Sequence, residues 1–527
     1  MRTLFLGLLV VFVWVALPLS IGTDNVKNLV QVEYPRRSTN TRTPYLYRGN
    51  DNPSASRASP KVDGYVQLGA FVVFRHGSRN PKASTAAKVH QTIDRWRVFI
   101  NNAVHPATKH RLQYYHSCAD YAVSARHNLL NPMGAWEMAS LASRYRDQVL
   151  SRAGDRNPAT ARPLDEANLA DRWEFVHSGT DRTEESAQVF KTVFLYGLGR
   201  YSGTISNPPL SIGEDSNNDS CSPLNYSESP SKGEGETFDM HLERGESGEV
   251  DARTDALVRK LKPYAASQQW IDYVLAKPTK DWLAERRAPI DTILRTSFEP
   301  MLRELGMDPL TFDVTRDLIP LYDLCSFELA TAGPNPDSCL LFSERDLLYL
   351  EYRDDLENYV YYGPGCLGLG PSAYPAINQH LAYPLLEDIE MAMTELIRID
   401  QQGFASTTAT SIPQGKFYFS HARLILLLGT LLDLYRDDEV FTKIMPTETE
   451  ILNRRFSTSA LAPMAANLGF ELWRRPSSSD YYVRVTHNER TVVPNFPACS
   501  PTTGLCQYRA FFDQIRSLYG ADNERYF

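Results

Sequence analysis

The stretch that most constrains this chain is an apolar run, Val66–Phe74, that ends abruptly in a cluster of cations. The run is rich in β-branched and aromatic residues and a glycine soon follows it, which predicts a buried strand and then a loop. That loop carries Arg75, His76 and Arg79 within the sequence Arg-His-Gly-Ser-Arg-Asn-Pro. Ligands of α/β sheets bind at the carboxyl ends of the strands. Because two arginines and a histidine make a poor core, we expect an anion-binding site there.

Two further segments have the same order of strand, turn and helix. Trp173–His177 is a predicted strand that leads to Arg182 near the start of a helix, and Lys416–Ser420 is a predicted strand that leads to His421. A helix N-terminus also favours an anion. Taken singly, Arg182 would be read as a solvated arginine and His421 as a capping residue. The repeated pattern predicts instead that both face the same sheet edge as Arg75.

The backbone around these motifs carries local signals. Gly77 is expected to let the loop come close to a ligand, and Pro81 to stiffen its exit. Thr180 or Asp181 is expected to cap the helix that holds Arg182, with Glu184 at capping-box spacing from Asp181. These signals agree with a loop that is built to hold its side chains in place.

Length and charge limit the classes of function. The 527 residues are enough for two or more core-bearing units, and the composition of 43% hydrophobic and 22% charged residues is that of a globular protein. The net charge of -8 gives no sign of a nucleic-acid partner. No Cys-x-x-Cys or paired-histidine spacing indicates a metal site. An anionic substrate would therefore be attracted by a local basic pocket.

The amino-terminal segment and the cysteines predict export. Residues 1–22 have the pattern of a secretory signal peptide, with an uncleaved anchor as the alternative, and no later apolar run is long enough to keep the mature chain in a membrane. Of seven cysteines, Cys499 and Cys506 are the best local disulfide pair. Asn218 and Asn225 lie in glycosylation sequons. No endoplasmic-reticulum retention signal ends the chain, so we expect a secreted or lumenal protein, with lysosomal delivery left open.

The chain divides by composition and periodicity. After the signal peptide, residues 23–203 and 405–527 carry the strand and helix patterns of an α/β core in two parts. Residues 204–255 are polar, acidic and rich in serine, which indicates a flexible insertion. Residues 256–404 are mainly helical in pattern, so we expect an inserted helical cap.

The motifs resemble those of the histidine acid phosphatases, in particular the phytase-like branch of multiple inositol polyphosphate phosphatases. The likeness rests on the Arg-His-Gly-x-Arg-x-Pro loop, on Arg182-Thr183 ahead of Ser186-Ala187, and on the histidine that opens a helix. Further stretches that agree with it are Asp317–Ile319, Cys325–Ala330, Ala465–Leu468 and the tail around Cys499 and Cys506.

The resemblance implies an α/β core with an inserted helical domain and a two-step reaction without a cofactor. It implies that His76 is the nucleophile and forms a phosphohistidine. The groups implied to hold the phosphoryl oxygens are Arg75, Arg79, Arg182 and His421. Lys82 either contacts another phosphate or is solvated. The residue types suit the chemistry, because guanidinium forks stabilise the charge on a transferring phosphoryl group and a neutral imidazole is a competent nucleophile.

One residue departs from the family pattern. The inositol polyphosphate branch has His-Ala-Glu where this chain has His421-Ala422-Arg423, and an arginine does not release a proton at ordinary pH. Three explanations are open: another acid such as Asp181 or a residue of the helical insert donates the proton, the enzyme is slow, or the chain binds polyphosphorylated ligands without turnover. In the last case Arg423 would hold a second phosphate. We expect a phosphomonoesterase for inositol polyphosphates with reduced activity, with a broad acid phosphatase and an inactive binder as alternatives.

Overall fold

The computed structural model describes residues 40–45, 61–117, 127–153, 169–198, 252–331, 336–365, 377–402, 413–476 and 478–520. The predicted signal peptide, both sequons and most of the polar insertion lie outside these residues. No helix within the described ranges is both long and apolar enough to cross a membrane.

A mixed sheet forms the centre of the molecule. Its strands are β1 (Val66–Arg75), β2 (Trp173–His177), β3 (Gly415–Ser420), β4 (Asn467–Arg474), β5 (Tyr481–His487), β6 (Arg490–Val492) and β7 (Leu505–Gln507). The order across the sheet is β2-β3-β1-β4-β5-β6, and β7 pairs with the other part of β5. β2, β3 and β1 are parallel, whereas the pairs from β1 to β6 are antiparallel.

The parallel register aligns the carboxyl ends of three strands. Arg75 at the end of β1 lies opposite Ser420 at the end of β3, and His177 at the end of β2 lies opposite Phe419. The turns that follow these strands therefore leave the sheet side by side. This is the arrangement that the sequence predicted for the three motifs.

Strand β1 is buried on both faces of the sheet. Phe71 and Val73 belong to one hydrophobic cluster and Val72 and Phe74 to the other. Side chains alternate between the faces of a strand, so a strand covered on both sides reads as an unbroken apolar run. This burial explains why the run before the cations is continuous.

Helices cover both faces. In the first and last parts of the chain they are Ala83–Ile100, Pro106–Ser117, Pro132–Ala153, Asp181–Tyr196, Ala422–Leu431, Asp438–Thr442, Glu448–Leu452, Thr458–Leu461 and Tyr508–Tyr519. Between β2 and β3 they are Ala252–Leu261, Pro263–Ala266, Gln268–Leu275, Lys277–Leu305, Ile319–Leu329, Glu344–Tyr362, Ile377–His380 and Tyr383–Gln402. The described residues of 252–402 contain no strand, as the helical pattern predicted. One hydrophobic cluster joins these helices to the sheet, and the exact domain boundaries stay a prediction.

Two disulfides join parts of the chain that the structure describes. The predicted Cys499–Cys506 bond is present, and a second bond joins Cys325 to Cys339. The second pair ties the helix Ile319–Leu329 to the short turn that follows it. Sequence spacing alone had left this pair open, because the two cysteines meet only through the packing of the helix.

Candidate active site

Two histidines meet where adjacent parallel strands end. His76 directly follows β1, and His421 follows β3 as the N-cap residue of the helix Ala422–Leu431. Their ring centroids are 5.5 Å apart, with the ring planes inclined at 70°. Both residues are buried. The sheet thus brings together two imidazoles that are separated by 345 positions in the sequence printed above.

The hydrogen bond of His76 defines which ring nitrogen is available. Its Nδ1 lies 2.8 Å from the carbonyl oxygen of Gly77. Because a carbonyl only accepts hydrogen bonds, Nδ1 carries the proton and Nε2 presents a lone pair. Burial, followed by the charges of Arg75 and Arg182, keeps the pKa of His76 well below its usual range. The imidazole is therefore neutral near neutral pH, as a nucleophile must be.

His421 is held in the opposite tautomer. A guanidinium nitrogen of Arg182 lies 3.2 Å from its Nδ1, and since a guanidinium only donates, Nδ1 must accept. Nε2 then carries the proton and lies 3.3 Å from the hydroxyl oxygen of Ser178. Burial, and then the positive charges of Arg182, Lys262, Arg423 and Arg75, lowers the pKa of His421 to about 2. A neutral His421 with an N–H is a hydrogen-bond donor to an anion.

Three arginines surround this pair of rings. Arg75 is buried and donates from Nη1 to backbone carbonyls, including that of Ala462 at 2.7 Å. Arg79 donates from Nη1 to the carbonyl oxygen of Asn80 at 2.8 Å. In Arg75, Arg79 and Arg182 the buried Nε atom has no hydrogen-bond partner among the described residues. Each guanidinium therefore retains donor capacity for a ligand.

The arginine charges repel one another. Burial and the neighbouring Arg79 hold the pKa of Arg75 well below its usual range, although the carboxylate of Glu137 opposes that effect. Burial, followed by Arg182 and Arg42, lowers the pKa of Arg79 to about 9. Arginine stays charged in proteins, so the lowered pKa reflects an unfavourable concentration of positive charge. An anion placed among these groups would relieve it.

Two more predicted cations lie at the rim. Lys82 is exposed, and its pKa is lowered by burial of part of the side chain and then by Arg79, Arg182 and Arg423. The guanidinium carbon of Arg423, also exposed, lies 5.0 Å from the ring centroid of Tyr264 and 5.3 Å from that of Tyr362. The seven residues that the sequence singled out thus gather at one edge of the sheet.

Hydrogen bonds join the first two motifs. The hydroxyl of Ser186 accepts from the backbone N–H of Gly77 at 3.1 Å and donates to the carbonyl oxygen of Arg182 at 2.7 Å. The expectation that Gly77 lets the loop approach a ligand stays a prediction, and the structure shows a further reason for a glycine here. A Cβ on Gly77 would lie 2.5 Å from the carbonyl oxygen of Gly134, so the glycine lets the loop pack against another backbone segment.

The loop that carries His76 is also held by hydrogen bonds to residues that the sequence did not single out. The buried carboxyl group of Glu137 accepts from the backbone N–H of Ser78 and from that of Tyr45, each at 2.7 Å. Burial raises the pKa of Glu137 to about 7, against the effect of these hydrogen bonds. Ala465 adopts a left-handed φ of 58° and donates its N–H to the carbonyl oxygen of His76 at 3.0 Å. No local pattern could reveal these partners, because they come from distant segments.

The structure selects one of the two caps expected for the helix that carries Arg182. Thr180 is the N-cap residue and Thr183 completes the box, accepting from the Thr180 backbone N–H at 3.2 Å. Asp181 is the first helical residue and is exposed. Glu184 therefore has no part in the capping box. Threonine hydroxyls at N-cap and N3 satisfy the same orphan donors as the predicted carboxylates.

A buried neutral imidazole among arginines, at the carboxyl ends of parallel strands, defines an α/β protein built to bind a tetrahedral anion beside a nucleophile. Residues 69–488 match the model of the histidine phosphatase superfamily, branch 2. The match extends over most of the chain, which therefore belongs to this family.

Proteins with similar sequences carry phosphatase names, in agreement with this family. The chain is 25% identical over 259 residues to multiple inositol polyphosphate phosphatase 1 of Dictyostelium discoideum, a match that covers 42% of this chain and 38% of that protein. It is 27% identical over 211 residues to the thiamine-repressible acid phosphatase pho4 of Schizosaccharomyces pombe, covering 39% and 41% of the two chains. The chain thus spans less than half the length of these curated relatives.

A solved structure extends the comparison of folds. The phosphate complex of the Bifidobacterium longum multiple inositol polyphosphate phosphatase superposes with a TM-score of 0.56 at 15% identity, over 92% of this chain and 98% of that one. The similarity shows that the arrangement of sheet and helices is shared.

Proposed function

We propose that this protein is a phosphomonoesterase that hydrolyses inositol polyphosphates through a phosphohistidine on His76. The observation that carries the proposal is the hydrogen bond from His76 Nδ1 to the Gly77 carbonyl, which leaves Nε2 as a free, unprotonated nucleophile inside a ring of arginines. The names of the relatives support inositol polyphosphates as the substrate class.

The residues divide the reaction into two steps. His76 Nε2 attacks phosphorus while Arg75, Arg79 and Arg182 stabilise the negative charge on the equatorial oxygens. His421, whose Nε2–H faces the Ser178 hydroxyl oxygen at 3.3 Å, would donate to the same phosphoryl group once substrate is bound. Water then attacks the phosphohistidine and releases phosphate. Because His76 is held neutral by its surroundings, no base is needed to activate it.

A substrate with several phosphates fits the charge around the central site. Lys82 and Arg423 add positive charge at the exposed rim, beyond the less exposed arginines that would hold the reacting group. A monoester with one phosphate would engage only the buried groups. A neighbouring phosphate would in addition reach the rim, and salt would weaken that contact because exposed charges are screened.

The proposal is tested by phosphate release from inositol hexakisphosphate, with the wild type compared with His76→Ala. We expect the variant to lose all turnover above the buffer rate and to yield no labelled phosphohistidine when the reaction is quenched without acid. If the wild type and the variant were equally inactive while both bound the ligand, the protein would be a binder of polyphosphorylated ligands and the proposal would be wrong.

A broad-specificity acid phosphatase is the second candidate, favoured by the similarity to the Schizosaccharomyces pombe enzyme. It would use His76 and the same arginines. Substrate profiling separates the two functions. A preference in kcat/KM for esters with a single phosphate supports the acid phosphatase, and a preference for several phosphates supports the inositol polyphosphate enzyme.

We further propose that the protein is secreted or lumenal and glycosylated at Asn218 and Asn225. The two disulfides support passage through an oxidising compartment, where such bonds persist. The amino-terminal pattern of the sequence agrees with that route. Sensitivity of the expressed protein to an N-glycosidase, measured as a mobility shift, tests it, and an unglycosylated protein retained in the cytosol would contradict it.

A further inference from the structure

We infer that the ammonium group of Lys262 donates the proton to the leaving oxygen of the substrate. The inference rests on the proposed phosphatase function and answers a problem that the function raises. The ester oxygen leaves as an alkoxide unless it is protonated, and general acid catalysis contributes typically about 10²–10⁴-fold to such a step. The resemblance implies a carboxylic acid where this chain has Arg423, so an active enzyme would take the proton from a different donor.

The backbone places Lys262 beside the second histidine. Ser420, which directly precedes His421, donates its hydroxyl hydrogen to the carbonyl oxygen of Leu261 at 2.6 Å. Lys262 is the next residue, between the helices Ala252–Leu261 and Pro263–Ala266. The helical insert therefore reaches the end of β3 at this point.

Contacts on the other side of Lys262 fix the same segment. The ring of Tyr264 packs against the guanidinium of Arg423, 5.0 Å from its centroid, and is 6.0 Å from the ring of Tyr362. The peptide from Leu261 to Tyr264 is thus held at both ends, by Ser420 and by Arg423. Lys262 lies within that span and is half-buried.

The electrostatics agree with this position. Among the cations that lower the pKa of His421, Lys262 acts more strongly than Arg423 or Arg75. Burial, and then the charge of Arg182, lowers the pKa of Lys262 itself from the usual value. Within the described residues Lys262 makes no ion pair or side-chain hydrogen bond. Its ammonium protons are therefore available to a ligand, and they are more acidic than those of a solvated lysine.

Other groups near the histidines are poorer donors. Arg423 does not give up a proton. Burial raises the pKa of Tyr264, although Arg423 and Arg182 oppose that effect. Asp181 is exposed at the first position of its helix, and Glu137 uses both oxygens to hold backbone N–H groups. Lys262 is the partly buried group whose charged form can donate a proton and then take one back.

Lys262 loses a proton in the first step of the reaction and regains one in the second. As His76 Nε2 forms its bond to phosphorus, the bond from phosphorus to the ester oxygen breaks, and the ester oxygen takes a proton from the Lys262 ammonium to leave as an alcohol. The neutral amine then accepts a proton from the water that attacks the phosphohistidine. Phosphate leaves, and His76 and the ammonium of Lys262 are both restored.

The test compares leaving groups. Lys262→Arg keeps the positive charge but does not donate a proton, so we expect its kcat on glycerol 2-phosphate to fall by about 10²-fold or more. On 4-nitrophenyl phosphate, whose leaving group departs without protonation, we expect a change within about threefold of the wild type. Lys260→Arg is the matched control, because Lys260 pairs with Asp388 at 3.4 Å and lies outside the site; it should behave as the wild type on both esters.

The outcomes are distinct. An equal loss on both esters, appearing in KM, would show that Lys262 only binds phosphate and would overturn the inference. Full activity of Lys262→Arg on glycerol 2-phosphate would overturn it as well. If the wild type hydrolysed neither ester nor inositol hexakisphosphate, the proposed function itself would fail.

Discussion

Single hydrogen bonds decide the chemistry of the two histidines. Gly77 fixes the proton of His76 on Nδ1, and Arg182 fixes the proton of His421 on Nε2. Two identical rings with centroids 5.5 Å apart thereby differ in the nitrogen that carries the proton, which suits them to the proposed roles of nucleophile and donor. Their roles follow from the partner of Nδ1, a backbone carbonyl in one case and a guanidinium in the other.

The neutral state of His421 predicts a dependence of stability on pH. Its pKa in the folded protein is about 2, against 6.5 for an ordinary histidine. Between these values the unfolded chain binds a proton that the folded protein does not, so the free energy of unfolding falls as the pH drops below 6.5. The contribution is at most about 1.4 kcal/mol per pH unit.

His421→Asn removes this contribution. We expect the free energy of unfolding of the variant, measured by urea titration from pH 7 to pH 4, to fall less steeply than that of the wild type. Parallel curves would show that His421 titrates normally in the folded protein.

The residues of the candidate site could be predicted from the sequence, but the residues that support them could not. His76, Arg79 and Arg182 sit next to strand and helix signals that place them locally. Glu137 comes from the second turn of one helix and Lys262 from the junction of two others, and nothing nearby in the sequence marks them. They reach the site only through packing between distant segments.

At the scale of elements, strand, turn and helix are repeated around the site. The predicted strand Trp173–His177 has the bounds that the structure shows, and the predicted strand Lys416–Ser420 begins one residue late. Both are short β-rich runs that end at a polar turn, a pattern that predicts a strand. What the sequence could not give is that β3 lies between β2 and β1, because strand order depends on long-range pairing.

Ser186 links two of these elements, so its removal should affect both. Ser186→Ala leaves the N–H of Gly77 without its partner, at a cost of about 1–3 kcal/mol for a buried donor. We expect lower stability in urea titration and reduced phosphatase activity, since the His76 loop loses an anchor.

Thr192→Ala is a control on the same helix. Its hydroxyl donates to the Gln188 carbonyl at 2.9 Å, as Ser186 donates to Arg182, but Thr192 is half-buried and has no hydrogen bond to the His76 loop. Its effect on stability should stay within about 0.5 kcal/mol. Equal effects of the two substitutions would show that Ser186 acts only within its helix.

At the scale of the whole molecule, the sheet edge concentrates positive charge in a chain whose net charge is -8. The family relationship and the α/β class could be predicted from motifs, whereas this concentration emerges only when Arg75, Arg79 and Arg182 come together. The positive charges of these arginines repel one another, and the packing of the sheet against the helices keeps the arginines together despite that repulsion.

This repulsion predicts that inorganic phosphate stabilises the protein. A ligand that binds only the folded state adds about 2.7 kcal/mol at a hundred times its Kd. We expect phosphate to raise the Tm of the wild type more than sodium chloride of equal ionic strength. Arg79→Met should lose most of that increase. An equal rise in phosphate and in chloride would indicate general screening by salt.

The three guanidiniums with unused Nε donors have a consequence for the turnover rate. In the proposed reaction, phosphate is both the group that the site binds during transfer and the last product to leave. A site with this many unused donors binds that product tightly. At high phosphate concentration we therefore expect release of phosphate, and not bond cleavage, to limit the rate. Competitive inhibition by added phosphate would reveal such retention, and unchanged initial rates would exclude it.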